Sequence, residues 1–296
     1  MIMLRRMSFF ACIVVAGLSA SLAYATVLPP SDGRVLWMAA DTSVTTDGSG
    51  TVTAWKDAGT SAEWVDYVRG IPKKTTAEFP AGTRSVIRFL GTNRGIYGSM
   101  EGDGLDLLND ASLRLNPISI YTVASIDAGT ICAVFLATYG ENGPPTGFGF
   151  GISDDTAERV KWMSGYPVDE FQPAIGQLTP EKNYRLTATV DGSGNKLLGV
   201  SDGTTSQDAT TTGVSLTYAA SSTATLGYLY HPEGGPMQYL SGDIAEVLVY
   251  SSVSSAQRTA VESYLQEKYF APEPSTLVLL GIGAASLLCY AWRKRK

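Results

Sequence analysis

The sequence predicts an all-β protein made of two packed antiparallel sheets, with one helix near its C-terminus. Three observations lead there. Short runs rich in Val, Ile, Tyr, Phe and Thr are separated by clusters of Gly, Asp, Asn and Pro, the pattern of a β-sandwich or barrel. One run alternates cleanly and leads through a glycine-rich turn into a second run, which is a hairpin signature. Residues 26–271, left once two apolar termini are set aside, number 246, a usual length for one large β-domain.

The runs in chain order are Val35–Ala39, Val86–Phe89, Ile118–Ile126, Cys132–Ala137, Phe148–Ile152, Val160–Met163, Tyr184–Val190, Lys196–Val200, Thr223–Tyr230 and Tyr239–Tyr250. With lesser segments they make about a dozen strands, enough for two sheets of usual size. In Tyr184–Val190 the residues Tyr184, Leu186, Ala188 and Val190 share one face, and Arg185, Thr187 and Thr189 the other, because side chains alternate along a strand. Asp191-Gly192-Ser193-Gly194-Asn195 then reverses the chain. The pattern changes after Ser254, where Ala256, Ala260, Val261, Tyr264, Leu265 and Lys268 recur at helical spacing. Ser254 followed three residues later by Gln257 forms a capping box. This helix should pack its Val261 and Leu265 side on the sandwich and end near Phe270, before Pro272. No internal repeat or long linker interrupts residues 26–271, which read as one domain.

Both ends of the chain carry targeting information. Arg5 and Arg6 precede an apolar run from Ser8 to Leu22, and Ala23 and Ala25 supply the small-x-small site of signal peptidase. Residues 1–25 therefore read as a signal peptide. At the other end, Pro272-Glu273-Pro274 leads into residues 276–292, seventeen positions without a charge, and then into Arg293, Lys294, Arg295 and Lys296. Seventeen apolar residues are about the shortest helix that spans hydrocarbon, and four cations would stay on the cytoplasmic side. This order of tripeptide, short span and basic stop, over 272–296, resembles the bacterial PEP-CTERM sorting signal. The resemblance implies handling by an exosortase, after an inner-membrane-anchored stage, and delivery to the cell surface or extracellular matrix.

Composition bounds the exported part. The two termini hold six of the 22 basic residues and one of the 28 acidic ones, leaving 16 against 27 and a net charge near −11. So acidic a body is a poor partner for nucleic acid, whose contacts come mainly from Lys and Arg. Of three cysteines only Cys132 lies outside the termini, so no intramolecular disulfide can form and a zinc–thiolate site is excluded. Cys132 sits in an apolar run and reads as a small core residue on a strand.

A second resemblance rests on both ends of the body. Leu36-Trp37-Met38-Ala39-Ala40-Asp41, Asp47-Gly48-Ser49-Gly50 and Val52-Thr53-Ala54-Trp55-Lys56-Asp57 lie at the front. Gly242-Asp243-Ile244-Ala245-Glu246-Val247-Leu248-Val249-Tyr250 and the segment from Val261 to Tyr269 lie at the back. Together they are similar to the laminin-G-like branch of the concanavalin A-like lectin/glucanase superfamily. That implies a jelly-roll arrangement of the two sheets, and binding of glycans or proteins, with calcium at one rim in many members.

The glucanases of that superfamily aim two carboxylates into one groove from alternate positions of a strand, and that motif is missing. Asp243 and Glu246 are three apart, an offset that puts them on opposite faces of a regular strand. Asp154-Asp155 and Asp169-Glu170 are adjacent pairs in expected loops, and Asp103 and Asp106 read as solvated turn residues. No catalytic residue is assigned. His231 is the sole histidine, which removes any Ser-His-Asp arrangement with a spare base. No cofactor is expected; the only candidate calcium ligands are Asp41, Asp47 and Asp57, which match no EF-hand spacing. Trp37 and Trp55 belong to apolar strands and read as core, whereas Trp64 and Trp162 are less constrained. Tyr166, Tyr230 and His231 are the candidates for stacking on a glycan.

The sequence thus points to an exported, non-enzymatic carbohydrate-binding or adhesion module. Its partners would be signal peptidase and exosortase during processing, then an extracellular polysaccharide or surface protein. The alternatives are a glycoside hydrolase of the same fold and a single-pass membrane protein whose tail is never cut.

Overall fold

The computed structural model describes residues 28–91, 102–108, 110–130, 132–140, 146–153, 158–164, 169–173, 177–213, 216–220, 222–231, 235–252 and 254–271, with Gly281, Gly283 and Trp292 beyond them. The expected signal peptide, its cleavage site at Ala23 and Ala25, the tripeptide Pro272-Glu273-Pro274 and the basic stop at Arg293, Lys294, Arg295 and Lys296 lie outside the described residues. So does the expected span 276–292, apart from those three helical positions. Among the described residues no helix is long and apolar enough to cross a membrane.

Strands are numbered in chain order. β1 (Arg34–Ala39), a short hairpin of β2 (Val44–Thr46) and β3 (Val52–Trp55), β4 (Val65–Arg69), β5 (Lys73–Phe79), β6 (Gly82–Phe89) and β7 (Gly104–Leu107) form the first half. The middle holds β8 (Ile118–Ile126), β9 (Val134–Gly140), β10 (Gly147–Ile152), β11 (Val160–Ser164), β12 (Asp169–Phe171), β13 (Tyr184–Val190), β14 (Lys196–Ser201) and β15 (Ser206–Thr211). β16 (Ser222–Leu226), a second short hairpin of β17 (Leu229–His231) and β18 (Gly235–Met237), and β19 (Gly242–Tyr250) complete the set.

Two antiparallel sheets result. The first runs β15-β14-β13-β8-β19-β6-β5, with β1 also paired to β19, and the second runs β12-β11-β10-β9-β16-β7-β4. Their facing sides enclose the main core, which includes Leu36, Trp55, Ile87, Phe89, Ile120, Phe135, Phe148, Phe150, Trp162, Leu186 and Val247. The alternation read in Tyr184–Val190 is realised: Tyr184, Leu186, Ala188 and Val190 join that core. Arg185 and Thr187 point the other way and bond to Glu262. That outer face is not wet, because helix α1 (Ser255–Leu265) lies across it and runs into one π-helical turn, Gln266–Phe270. Val261, Tyr264, Leu265, Tyr269 and Phe270 form a second apolar cluster with Trp37, Phe79, Val86, Tyr121, Val123, Leu248 and Tyr250. The sandwich is therefore all-β with one C-terminal helix, and the central strands β8 and β19 of its first sheet are buried on both sides.

The helix start is half of the expected capping box. Ser254 is the N-cap and its hydroxyl accepts from the Gln257 amide N–H. The Gln257 side chain does not reach back; it bonds to the Ser252 hydroxyl and the Asp32 carbonyl instead. Ser254→Ala should cost about 1 kcal/mol of stability, readable in a denaturant titration.

Several strand boundaries differ from the sequence reading for local reasons. Thr223–Tyr230 is not one strand, because Gly227 takes a left-handed conformation with φ +80°. A Cβ there would stand 2.7 Å from the Phe89 ring, so the break needs glycine. Cys132 is buried, but it lies before β9 with φ +52° rather than on the strand. Asp169 and Glu170, expected in a loop, lie on the edge strand β12.

Candidate functional site

The helix is tied to the sheet through one buried carboxylate. β19 carries a bulge at Ala245, between Ile244 and Glu246, and it falls where the strand changes partner from β6 to β1. A bulge adds one residue to the strand and so resets which side chains share a face. Ile244, Val247 and Val249 face the inter-sheet core, while Ala245, Leu248 and Tyr250 face the helix. Glu246 is rotated to the helix side as well. It accepts from Trp37 Nε1 at 2.6 Å, Tyr264 OH at 2.6 Å, Tyr269 OH at 2.7 Å and Lys268 Nζ at 2.8 Å. Its exposure is 0 %. Burial, and then the adjacent carboxylate, push both tyrosine hydroxyls well above the ordinary phenol range, so both remain donors.

This corrects the expected geometry of Asp243 and Glu246. The bulge places them on the same face, not on opposite ones. Asp243 bonds Arg88 at 3.1 Å and Ser125 at 3.2 Å, and Arg88 also holds Asp127 at 2.5 Å. Burial raises the Asp243 carboxyl above the usual carboxylate range despite Arg88. The pair still lacks the arrangement of a glycosidase, since Glu246 is closed to solvent and saturated with donors.

The calcium candidates fill structural posts. Asp41 pairs with Lys268 at 3.1 Å. Asp57 accepts from the Trp37 backbone N–H at 2.8 Å and from Gly59, Thr60 and the Thr60 hydroxyl. Asp47 closes a turn on Ser49 and Thr51. Among the described residues no group of three or more His, Cys, Asp and Glu side chains is placed to hold a metal ion. Asp41 and Asp57 thus flank the Trp37–Glu246 seam, and Asp47 stands apart from it.

Of the stacking candidates, Tyr230 and His231 lie on β17, paired with Pro236 and Gly235 of β18, and Tyr230 is half-buried. Tyr166 lies outside the described residues, as do Asp154 and Asp155. Trp162 is core: it is 1 % exposed and stacks on Phe148 with ring centroids 5.0 Å apart and an interplanar angle of 13°. Trp64 is buried too.

A cluster that the sequence reading missed sits at the β4 edge of the second sheet. Asp103 and Asp106, expected as solvated turn residues, are neither. Asp103 is buried and accepts from the backbone N–H of Ile71 at 2.7 Å and of Leu90 at 2.9 Å, joining two loops. Asp106 lies on β7 and holds Arg69 in a two-point ion pair, Nε at 3.1 Å and Nη2 at 2.9 Å. The Tyr228 hydroxyl donates to Asp106 and accepts from Arg69 Nε at 2.8 Å. Arg69 lies 5.3 Å from the Tyr67 ring centroid and 5.2 Å from that of Tyr228. Tyr228 in turn stacks on Tyr239 at 5.3 Å and 16°. The result is a column of Tyr67, Arg69, Tyr228 and Tyr239 with its outer ring, Tyr67, 57 % exposed. Burial and the Asp106 contact raise the Tyr228 hydroxyl far above its ordinary value, so it is no base at neutral pH. The cluster is cross-linked by hydrogen bonds and ring contacts, polar at one edge and aromatic at its tip.

Comparisons with known proteins bear on the tail and on the shape of the body. Residues 271–296 match the family described as the PEP-CTERM protein-sorting motif, which implies an exported, membrane-passing protein processed by an exosortase. A search of curated proteins finds no match. Among solved structures, the chain is similar to a mutant Trypanosoma rangeli sialidase displaying trans-sialidase activity, with 14% identity and a TM-score of 0.49 over 82% of this chain and 34% of that one. It is similar to the binding domain of Botulinum Neurotoxin DC in complex with SialylT, with 14% identity and a TM-score of 0.48 over 80% of this chain and 52% of that one. It is also similar to the Ruminococcus gnavus IT-sialidase CBM40, with 16% identity and a TM-score of 0.44 over 58% of this chain and 96% of that one.

Proposed function

We propose that the chain is exported behind residues 1–25, pauses with 276–292 in the inner membrane, and is sorted to the cell surface or extracellular matrix. There its laminin-G-like, concanavalin A-like sandwich acts without catalysis, in adhesion or in contact with extracellular polysaccharide. The observation that carries this reading is the sorting motif at 271–296, which begins one residue after the buried Phe270. The motif is thus joined to a folded body with no intervening linker. The non-catalytic part is supported by Glu246, which is closed to solvent and held by four donors.

Mass spectrometry of the C-terminus in cell-surface fractions tests the sorting step. A mature terminus near Pro272 to Ser275 is expected. An intact peptide containing Trp292 in those fractions would establish a permanent single-pass anchor instead.

A further inference from the structure

We infer that the β4 edge, from Tyr67 through Arg69 to Ile71, is a binding strip for a neutral polysaccharide. This deepens the polysaccharide reading above and rests on it for the setting in which the ligand is met.

The chemistry follows from what each group has left to offer. Arg69 spends Nε and Nη2 on Asp106 and Tyr228. Nη1 has no partner among the described residues, and the side chain is 28% exposed. Held between two rings, the guanidinium offers its remaining N–H donors in a fixed direction at little further entropic cost. Beside it, Tyr67 has one ring face over Arg69 and more than half of its surface open. An aromatic face next to rigid N–H donors suits a ring with an apolar C–H face and a rim of hydroxyls, which is the surface of a pyranose.

Charge separates this ligand from its rivals. The two-point pair with Asp106 cancels the charge of Arg69, and the body around it is acidic, so a uronate or phosphate polymer gains nothing here. The strip is also too small for a stable protein interface: Tyr67, Ile71 and Leu90 are its exposed apolar side chains, against the roughly 20–30 residues a side that such an interface uses. Its length favours a chain over a single sugar. Tyr67 and Arg69 cover roughly 7 Å of strand, and Ile71 carries the strip past the left-handed bend at Gly70, beyond the width of one six-membered ring. Leu90, also exposed, is held near Ile71 because Asp103 accepts from both amides.

Affinity electrophoresis of the full-length protein in detergent tests this, with laminarin and a soluble galactan as neutral probes and alginate as the anionic one. A neutral probe should retard the wild type. Tyr67→Ala should weaken that retardation about tenfold, and Tyr67→Phe should keep it, because the ring face and not the hydroxyl is used. Tyr67 is exposed, so its loss leaves the fold intact, which an unchanged melting curve confirms. Arg69→Lys keeps the charge but loses the fork, and should weaken binding too. The inference is overturned if Tyr67→Ala binds as the wild type does, if alginate binds in preference, or if neither neutral probe retards the protein. Binding is read without regard to the C-terminus, so an uncut tail with intact binding would count against sorting alone.

Discussion

Glu246→Ala is expected to lower stability by about 3–5 kcal/mol, the cost of breaking a buried, hydrogen-bonded charge pair by removing one partner. For a chain of this size that is a fall of roughly 10 °C in Tm, measured by calorimetry or by circular dichroism. The magnitude follows from what the deletion leaves behind. Trp37 Nε1, Tyr264 OH and Tyr269 OH each lose their acceptor in a buried place, and Lys268 keeps Asp41 as its one anionic partner among the described residues. A buried donor without an acceptor is far costlier than a bond exchanged with water. Glu246→Gln, which keeps the shape and an acceptor oxygen, should lose less than Glu246→Ala. A melting temperature unchanged in Glu246→Ala would mean that α1 is held to the sheet by apolar contacts alone.

Trp162→Ala should be comparably severe, at roughly 3–5 kcal/mol. The ring fills the space between the two sheets and stacks on Phe148, and protein interiors relax only partly around a deleted side chain. One feature tempers the loss. Trp162 Nε1 is buried with no hydrogen-bond partner among the described residues, so Trp162→Phe removes that donor together with some volume and should be milder. The two substitutions also separate core from surface. If Trp162→Ala left the melting curve alone and abolished polysaccharide retardation, the ring would have to be a surface platform.

How far the chain could be read without its structure depended on range. Strands such as Ile118–Ile126 and Tyr184–Val190 and the helix after Ser254 were legible, because alternation and helical spacing are set by neighbours in sequence. The bulge at Ala245 was not. It depends on β19 exchanging β6 for β1, a fact about strands far away in the chain, and it reversed the facing of Asp243 and Glu246. The column at β4 was hidden for the same reason: Arg69 and Tyr228 are 159 positions apart, and nothing near either one announces the other. Local alternation in Val65-Asp66-Tyr67-Val68-Arg69 would group Tyr67 and Arg69 with the buried Val65, and it is a bulge between Val65 and Tyr67 that turns the two outward. Asp103 was misread because a carboxylate beside glycines resembles a turn residue, whereas here it bridges two backbones. The sorting signal, by contrast, is linear and was legible as such.

Every residue through which the helix grips the sheet, from Arg258 to Phe270, stands ahead of Ala271. A cut anywhere beyond that point removes none of them. The sandwich would leave its tether as finished as it was while held, with no need to refold once free.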